Sequence, residues 1–340
     1  MNRDAFSARL AAIRPADAAA MDAARRRQAQ LAKPPGSLGK LEDISIQLAG
    51  ITGHIYNEIE KTRIYVLAAD NGVVAEGVSS APQSVTRQQA VNLTRGVTGA
   101  SAIARRFGDE LVVVDVGIAE DYTCPQIVNR RIARGTKNIA KEPAMTVQQA
   151  LTALDTGMTL AAQAKRDGVQ ALGVGEMGIG NTTTSAAVLM ALTGCAVEDA
   201  VGRGGGVTDE AFARKRAVAA GALARLHPDA GDAVDVLAKV GGFDLAAMAG
   251  VFLGAAESRL PVVIDGFISV VAALCAVRLC PAARDFLFAS HGSFERGYAV
   301  AAQALSLTPV LLLDMRLGEG SGCPLGFRVL EAACAAMNGM

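Results

Sequence analysis

The chain has no tryptophan, and its aromatic residues make up only 4% of 340 positions. Platforms on which nucleic-acid bases or sugars could stack are therefore scarce. Histidine is nearly absent too: His54, His227 and His291 are the only imidazoles, and no two are close in sequence. No zinc-ligand spacing results, and no metal is expected. The six cysteines, Cys124, Cys195, Cys275, Cys280, Cys323 and Cys334, show no CxxC spacing, and most lie in apolar runs. They read as reduced core thiols of a cytosolic protein, not as a disulfide framework. An excess of either charge is also missing, since 33 basic residues face 33 acidic ones. Binding by counterion release favours a basic chain, so no nucleic-acid partner is expected. Long hydrophobic runs fall short as well. Residues 245–256 stop at Glu257-Ser258-Arg259, and 262–277 contains Asp265. A bilayer span requires about 20 clean apolar residues, so no membrane partner is expected. The first twenty residues mix Arg3, Asp4, Arg9, Arg14 and Asp17 with single apolar positions, unlike a signal or transit peptide. The expected location is cytoplasmic.

What is present describes a well-packed globular chain. Hydrophobic residues reach 51% against 19% charged, with a mean hydropathy of +0.29, which excludes disorder. The length suits about two domains, or one large domain with a lobe. Residues 18–33 read as an alanine-rich helix stopped by Pro34-Pro35-Gly36, and 38–48 as the start of a second helix. Short β-branched runs follow at 63–69, 111–116, 169–174, 261–264 and 285–289, separated by helical stretches such as 146–166 and 210–226. Buried strands alternating with helices predict a three-layer, Rossmann-like α/β body on a mostly parallel sheet. Residues 310–313 fit either a further strand or a buried helix segment. The last helix, 325–338, puts Val329, Ala332, Ala333, Ala336 and Met337 on one stripe. The expected domains are a helical lobe from 1–50 and 325–340, and a catalytic α/β domain over 51–324.

Each predicted strand runs into a polar or glycine-rich turn: Asp70-Asn71-Gly72, Asp115-Val116-Gly117, Gly175-Glu176, Asp265-Gly266 and Ser290-His291-Gly292. Ligands of open α/β sheets bind beyond the carboxyl ends of strands, so chemistry is sought there. Residues 173–178, GVGEMG, match the GxGxxG dinucleotide pattern, and Glu198 and Asp199 fall where a ribose-binding acid would. That makes a NAD-dependent oxidoreductase a rival reading. However, the glycines continue to Gly180 before Asn181-Thr182-Thr183-Thr184-Ser185 caps the next helix, which therefore starts too late. The arrangement suits a helix N-terminus that binds a phosphate. A second run, GRGGG at 202–206, opens another helix. Two such runs favour a phosphate cradle over simple tight turns. No GxxxxGK[ST] is present, which excludes a P-loop ATPase. Asp115 lacks the adjacent acid and Thr-Gly-rich loop of enzymes that use phosphoribosyl pyrophosphate.

Eight blocks in order resemble one family: PPGSLGKLE (34–42), AADNGVVAEGVSSAPQSVT (68–86), GEMGIGNTTTSAA (175–187), GRGGGVTD (202–209), GFDLAAMAG (242–250), PVVIDGFIS (261–269), ASHGSFERG (289–297) and DMRLGEGSGCPL (314–325). The chain resembles the nicotinate-nucleotide–dimethylbenzimidazole phosphoribosyltransferases across nearly its whole length. It departs from them at Asn71, where the family usually reads Asp-His-Gly. It also lacks the usual aromatic before Pro82 and has Gln89 where Met is common. These departures lie near the expected base pocket. The resemblance implies transfer of phosphoribose from nicotinate mononucleotide to a benzimidazole-type base, giving α-ribazole 5′-phosphate and nicotinate for cobalamin synthesis. The leaving nitrogen is already a cationic pyridinium, so the reaction requires neither a general acid nor a cofactor. Deprotonating the attacking imidazole requires one carboxylate base.

By resemblance that base is Glu319, and Glu176 helps to orient substrate or hold the base, a helix-capping carboxylate being its alternative. Gly178, Ile179, Gly180, Asn181, Gly204, Gly205 and Ser293 are carried over as the 5′-phosphate cradle. Lys215 either neutralises the phosphate or the nicotinate carboxylate, or belongs with Arg214 and Arg216 to a solvated helix face. Asp265 is a ribose contact or a buried structural acid. Ser80, Gln88 and Leu317 are assigned to the base pocket, with Ser79 an alternative to Ser80. The implied partners are small-molecule substrates and a second copy of the chain, as a homodimer. A non-catalytic base- or nucleotide-binding family member is the other rival.

Overall fold

The computed structural model describes all 340 residues. Its centre is a sheet of β1 (Thr62–Ala69), β2 (Glu110–Gly117), β3 (Val128–Asn129), β4 (Ala171–Met177), β5 (Val262–Ile264) and β6 (Leu287–Ala289). The order is β3-β2-β1-β4-β5-β6, and every neighbouring pair is parallel. All residues of β1 and β4 are buried, because helices cover both faces of the sheet. The chain moves outward from β1 to β3 and then returns to β4 on the other side. The crevice beyond the carboxyl ends of β1 and β4 is therefore the topological switch point, where open α/β sheets bind ligands.

The fourth strand starts and ends later than its apolar run suggests. Val66, Leu67 and Ala68 of β1 pair with Gly175, Glu176 and Met177, so ladder pairing carries the strand through residues that read as a turn. The apolar run at 245–256 is a core helix, Phe243–Glu257, buried from Phe243 through Ala256. It crosses helix Val147–Arg166 at backbone contact. A Cβ on Gly157 would lie 2.0 Å from the Ala247 carbonyl oxygen, and one on Gly250 2.1 Å from that of Leu154. Any side chain at either glycine would push the two helices apart. No helix is long and apolar enough to cross a membrane.

Residues 310–313 are neither a full strand nor a helix. Leu311 makes one isolated parallel bridge to His291, and Leu312 is 83% exposed. The C-terminal helix, Cys323–Gly339, buries Phe327, Leu330, Ala333, Cys334 and Met337. Its docking face is thus rotated from the expected stripe, and Ala332 is exposed. Met337 packs with Ala24, Leu31 and Ala49 in a small separate core, between this helix and helices Ala18–Gln28 and Lys40–Thr52. The first helix, Arg3–Ala11, sits elsewhere. Phe6 joins the main core, and Arg9 pairs with Asp155 and Glu257 at 2.9 and 2.7 Å.

Candidate active site

A cleft of about 420 Å³ opens at the carboxyl end of the sheet, a size suited to a small molecule. Three of the five predicted turns reach it, through Glu176, Asp265-Gly266 and His291. The turns after β1 and β2 do not. Asp115 accepts hydrogen bonds from the N–H groups of Gly117 (2.9 Å) and Ile118 (2.8 Å), the Tyr122 hydroxyl (2.8 Å) and Arg131 (3.0 Å), so its oxygens serve the fold. Asn71 is wholly buried behind the cleft, where its side-chain oxygen accepts from the Thr184 hydroxyl at 3.2 Å. It does not line the base pocket as its place in the motif suggested.

One part of the cleft is built to attract an anion. Helix Asn181–Thr193 starts after Gly180, which has φ +91° and makes no side-chain cap. The Ile179 N–H is spent on the Thr86 hydroxyl (3.1 Å) and that of Asn181 on the Gly178 carbonyl (3.1 Å). The N–H groups of Gly180 and Thr182 have no partner within the chain. Those of Gly204 and Gly205, in the second glycine run, are likewise unpaired. Such donors at a helix N-terminus form a ready anion site. Lys215 completes it. This side chain is buried, with Nζ donating to Thr182 Oγ1 (2.8 Å) and the Gly202 carbonyl (3.1 Å). Burial pushes its pKa down to about 8, opposed by the nearby Glu295 carboxylate. The solvated-face alternative for Lys215 is therefore overturned. Arg214 instead points to the Gly77 carbonyl, and Arg216 stacks on Phe212. Ser293 lines the same cleft.

The other part is a cluster of acids. Glu319 is buried and has φ +61°, between Gly318 at +82° and Gly320 at +80°. Three successive left-handed residues, one with a side chain, store backbone strain that the surroundings must hold. Asp265 holds it, accepting from the N–H of Gly320 (2.9 Å) and of Gly322 (2.7 Å). Asp265 is thus a buried acid that clamps the Glu319 loop, and it also lines the cleft. Burial raises its pKa to about 7 against those two hydrogen bonds. Glu176 approaches the same loop from β4, since a Cβ on Gly318 would lie 2.5 Å from its Oε1. Its pKa is pushed up to about 8, first by burial and then by the neighbouring Asp244 charge. The Asn181 side-chain amide donates to both Glu176 and Asp244. Asn181 was expected in the phosphate cradle; its side chain serves the acids instead. Asp244, a lone acid opening an apolar helix, is a member of this cluster that motif reading left without a role.

The base-pocket residues divide. Ser80 donates to the Gly205 carbonyl at 3.4 Å, whereas the Ser79 hydroxyl accepts from the Ala81 N–H at 3.2 Å. Ser80 therefore spans to the glycine run, and Ser79 serves its own turn. Leu317 lines the cleft and is 53% exposed. Gln88 does not line it and is exposed, whereas Gln89 does line it and donates to Glu319 Oε1 at 2.7 Å. Helical phase accounts for the difference. Thr86, Ala90 and Leu93 form the buried face of helix Ser84–Thr94, and position 89 lies beside it while 88 does not. The dinucleotide reading fails, because Glu198 and Asp199 sit exposed on a short helix, Val197–Ala200, outside the cleft.

A phosphoribosyltransferase family model matches residues 13–340. The nicotinate-nucleotide–dimethylbenzimidazole phosphoribosyltransferase of Clostridium perfringens is 52% identical over 317 residues, covering 93% of this chain and 88% of that protein. The enzyme of the same name from Chloroflexus aggregans is 48% identical, covering 96% and 93%. A crystal structure of the Thermus thermophilus protein of that name superposes with a TM-score of 0.89 at 42% identity, over 94% of this chain and 96% of that one.

Proposed function

Since the chain belongs to this phosphoribosyltransferase family, we propose that it transfers phosphoribose from nicotinate mononucleotide to 5,6-dimethylbenzimidazole or a related base. The products are α-ribazole 5′-phosphate and nicotinate, for the nucleotide loop of cobalamin. The observation that carries this reading is one cleft holding both an anion cradle and a buried carboxylate with a free oxygen. Glu319 Oε1 accepts from Gln89, while Oε2 has no partner within the chain.

The 5′-phosphate takes the free N–H groups of Gly180, Thr182, Gly204 and Gly205, with Lys215 as counter-charge. The base nitrogen attacks the ribose carbon from the face opposite nicotinate, inverting it from β to α in a single displacement. As that bond forms, the pyridinium bond breaks and its electron pair returns to the ring, so nicotinate leaves without a proton. The second imidazole nitrogen loses its proton to Glu319 Oε2. Glu176, protonated below about pH 8, stays neutral next to the Glu319 loop and keeps a second negative charge out of the site.

The same reading makes the protein a cytoplasmic homodimer. It is supported by the resemblance and by large apolar side chains, Phe294, Leu312, Leu313 and Leu317, left exposed on two adjoining loops. Light scattering at a mass near that of one 34.9 kDa chain would refute the dimer. The activity is tested by offering nicotinate mononucleotide with dimethylbenzimidazole, benzimidazole, adenine or a phenol, and reading products by mass spectrometry. Formation of an α-ribotide and nicotinate is expected, undiminished by EDTA. Absence of every ribotide, or loss with EDTA and rescue by Mg²⁺, would overturn the reading.

A further inference from the structure

We propose that Gln89 is a positioning residue for the transfer, pinning one oxygen of the Glu319 carboxylate so that Oε2 alone meets the attacking base. The inference rests on the transferase reading above and adds a residue to it. Helix Ser84–Thr94 carries Gln89 to the cleft, where its amide Nε2 donates to Glu319 Oε1 at 2.7 Å. The amide itself is oriented. Asn92, one turn further along, donates from Nδ2 to Gln89 Oε1 at 3.2 Å. With its carbonyl occupied by Asn92, the amide turns its N–H₂ toward Glu319. The chain Asn92, Gln89, Glu319 thus sets the direction of the carboxylate, while Asp265 sets the position of its backbone.

A carboxylate free to rotate would share its proton-accepting lone pairs between productive and unproductive directions. Pinned through Oε1, Glu319 keeps Oε2 as its one oxygen without a partner within the chain. The ionisable groups that face Glu319 are Glu176, from β4, and Asp265, from the end of β5. Both are carboxyls, and Gln89 is the neutral side chain that donates to Glu319.

The test is kcat against nucleotide KM with nicotinate mononucleotide and dimethylbenzimidazole, for wild type, Gln89→Met and Asn92→Ala. Gln89→Met keeps the length of the side chain and removes the donor. Its kcat is expected to fall by about tenfold, with the KM for the nucleotide unchanged because Gln89 does not touch the phosphate cradle. Asn92→Ala leaves the cleft lining intact and frees the amide to rotate, so its kcat is expected to fall by less. A role confined to packing would lower stability without lowering the kcat of the folded enzyme. An active wild type whose kcat is matched by both folded variants overturns the Gln89 proposal alone. A wild type that forms no ribotide overturns the transferase reading, and this one with it.

Discussion

Replacing Glu319 by glutamine isolates the basicity of one atom. The wild-type Oε1 accepts from Gln89 at 2.7 Å, and Oε2 faces no partner within the chain. In Glu319→Gln the amide oxygen takes the Oε1 position and keeps the Gln89 bond, and the amide nitrogen replaces Oε2. Shape, burial and the left-handed backbone at φ +61° are retained. What disappears is the site that receives the imidazole proton. General-base catalysis is worth about 10²–10⁴-fold, equivalent to about 2.7–5.4 kcal/mol of transition-state stabilisation, and kcat is expected to fall by that factor. The KM for nicotinate mononucleotide is expected to stay within about twofold, because the cradle lies on separate loops and the loss belongs to the transition state. Single-turnover kinetics at saturating nucleotide measure the chemical step directly. Glu176→Gln serves as the comparison. It preserves a neutral group where the wild type already has one below about pH 8, and is expected to cost less. A Glu319→Gln enzyme within a few-fold of wild type under chemistry-limited conditions would refute the assignment.

Gly204→Val would add a Cβ that lies 3.2 Å from Lys215 Nζ and 3.1 Å from Thr182 Oγ1. Screening that ammonium should raise the KM for nicotinate mononucleotide by about 10- to 100-fold, with little change in that for the base; equal changes in both would count against the cradle. Lys215, with its pKa lowered to about 8 by burial, loses its charge as pH rises through that value. In consequence kcat/KM for the nucleotide should decline above about pH 8. Lys215→Arg keeps a charge that does not titrate, and persistence of the same limb in that variant would exclude Lys215 as its source. Asp265→Asn turns an amide N–H₂ toward one of the two backbone donors it now satisfies, on Gly320 or Gly322. The released loop should lower kcat by about tenfold while leaving nucleotide KM nearly unchanged, and an unaltered kcat would show that the clamp does not position Glu319.

Local chemistry wrote much of this protein into its sequence. The β-branched runs of β1 and β2 form strands wherever they stand, because such side chains suit a sheet buried on both faces. Thr146 and Thr208 cap helices at the predicted starts, satisfying N–H groups within three residues of themselves. The glycine runs open helices with unpaired donors for the same local reason, and the motif blocks disclosed the family. Tertiary structure decided what depends on partners far along the chain. Glu176 reads as a turn and became strand, because the ladder with β1, more than 100 residues earlier, continues through it. Lys215, flanked by two arginines, was buried by the packing of its helix beneath the glycine run. Asp265 found its role 55 residues away, on the Gly320 N–H. The choice between Gln88 and Gln89 followed from the helix face that packs on the sheet. Contacts of this kind bring together segments with no common local pattern, and only the assembled core, by excluding water, gives their charges and hydrogen bonds their strength.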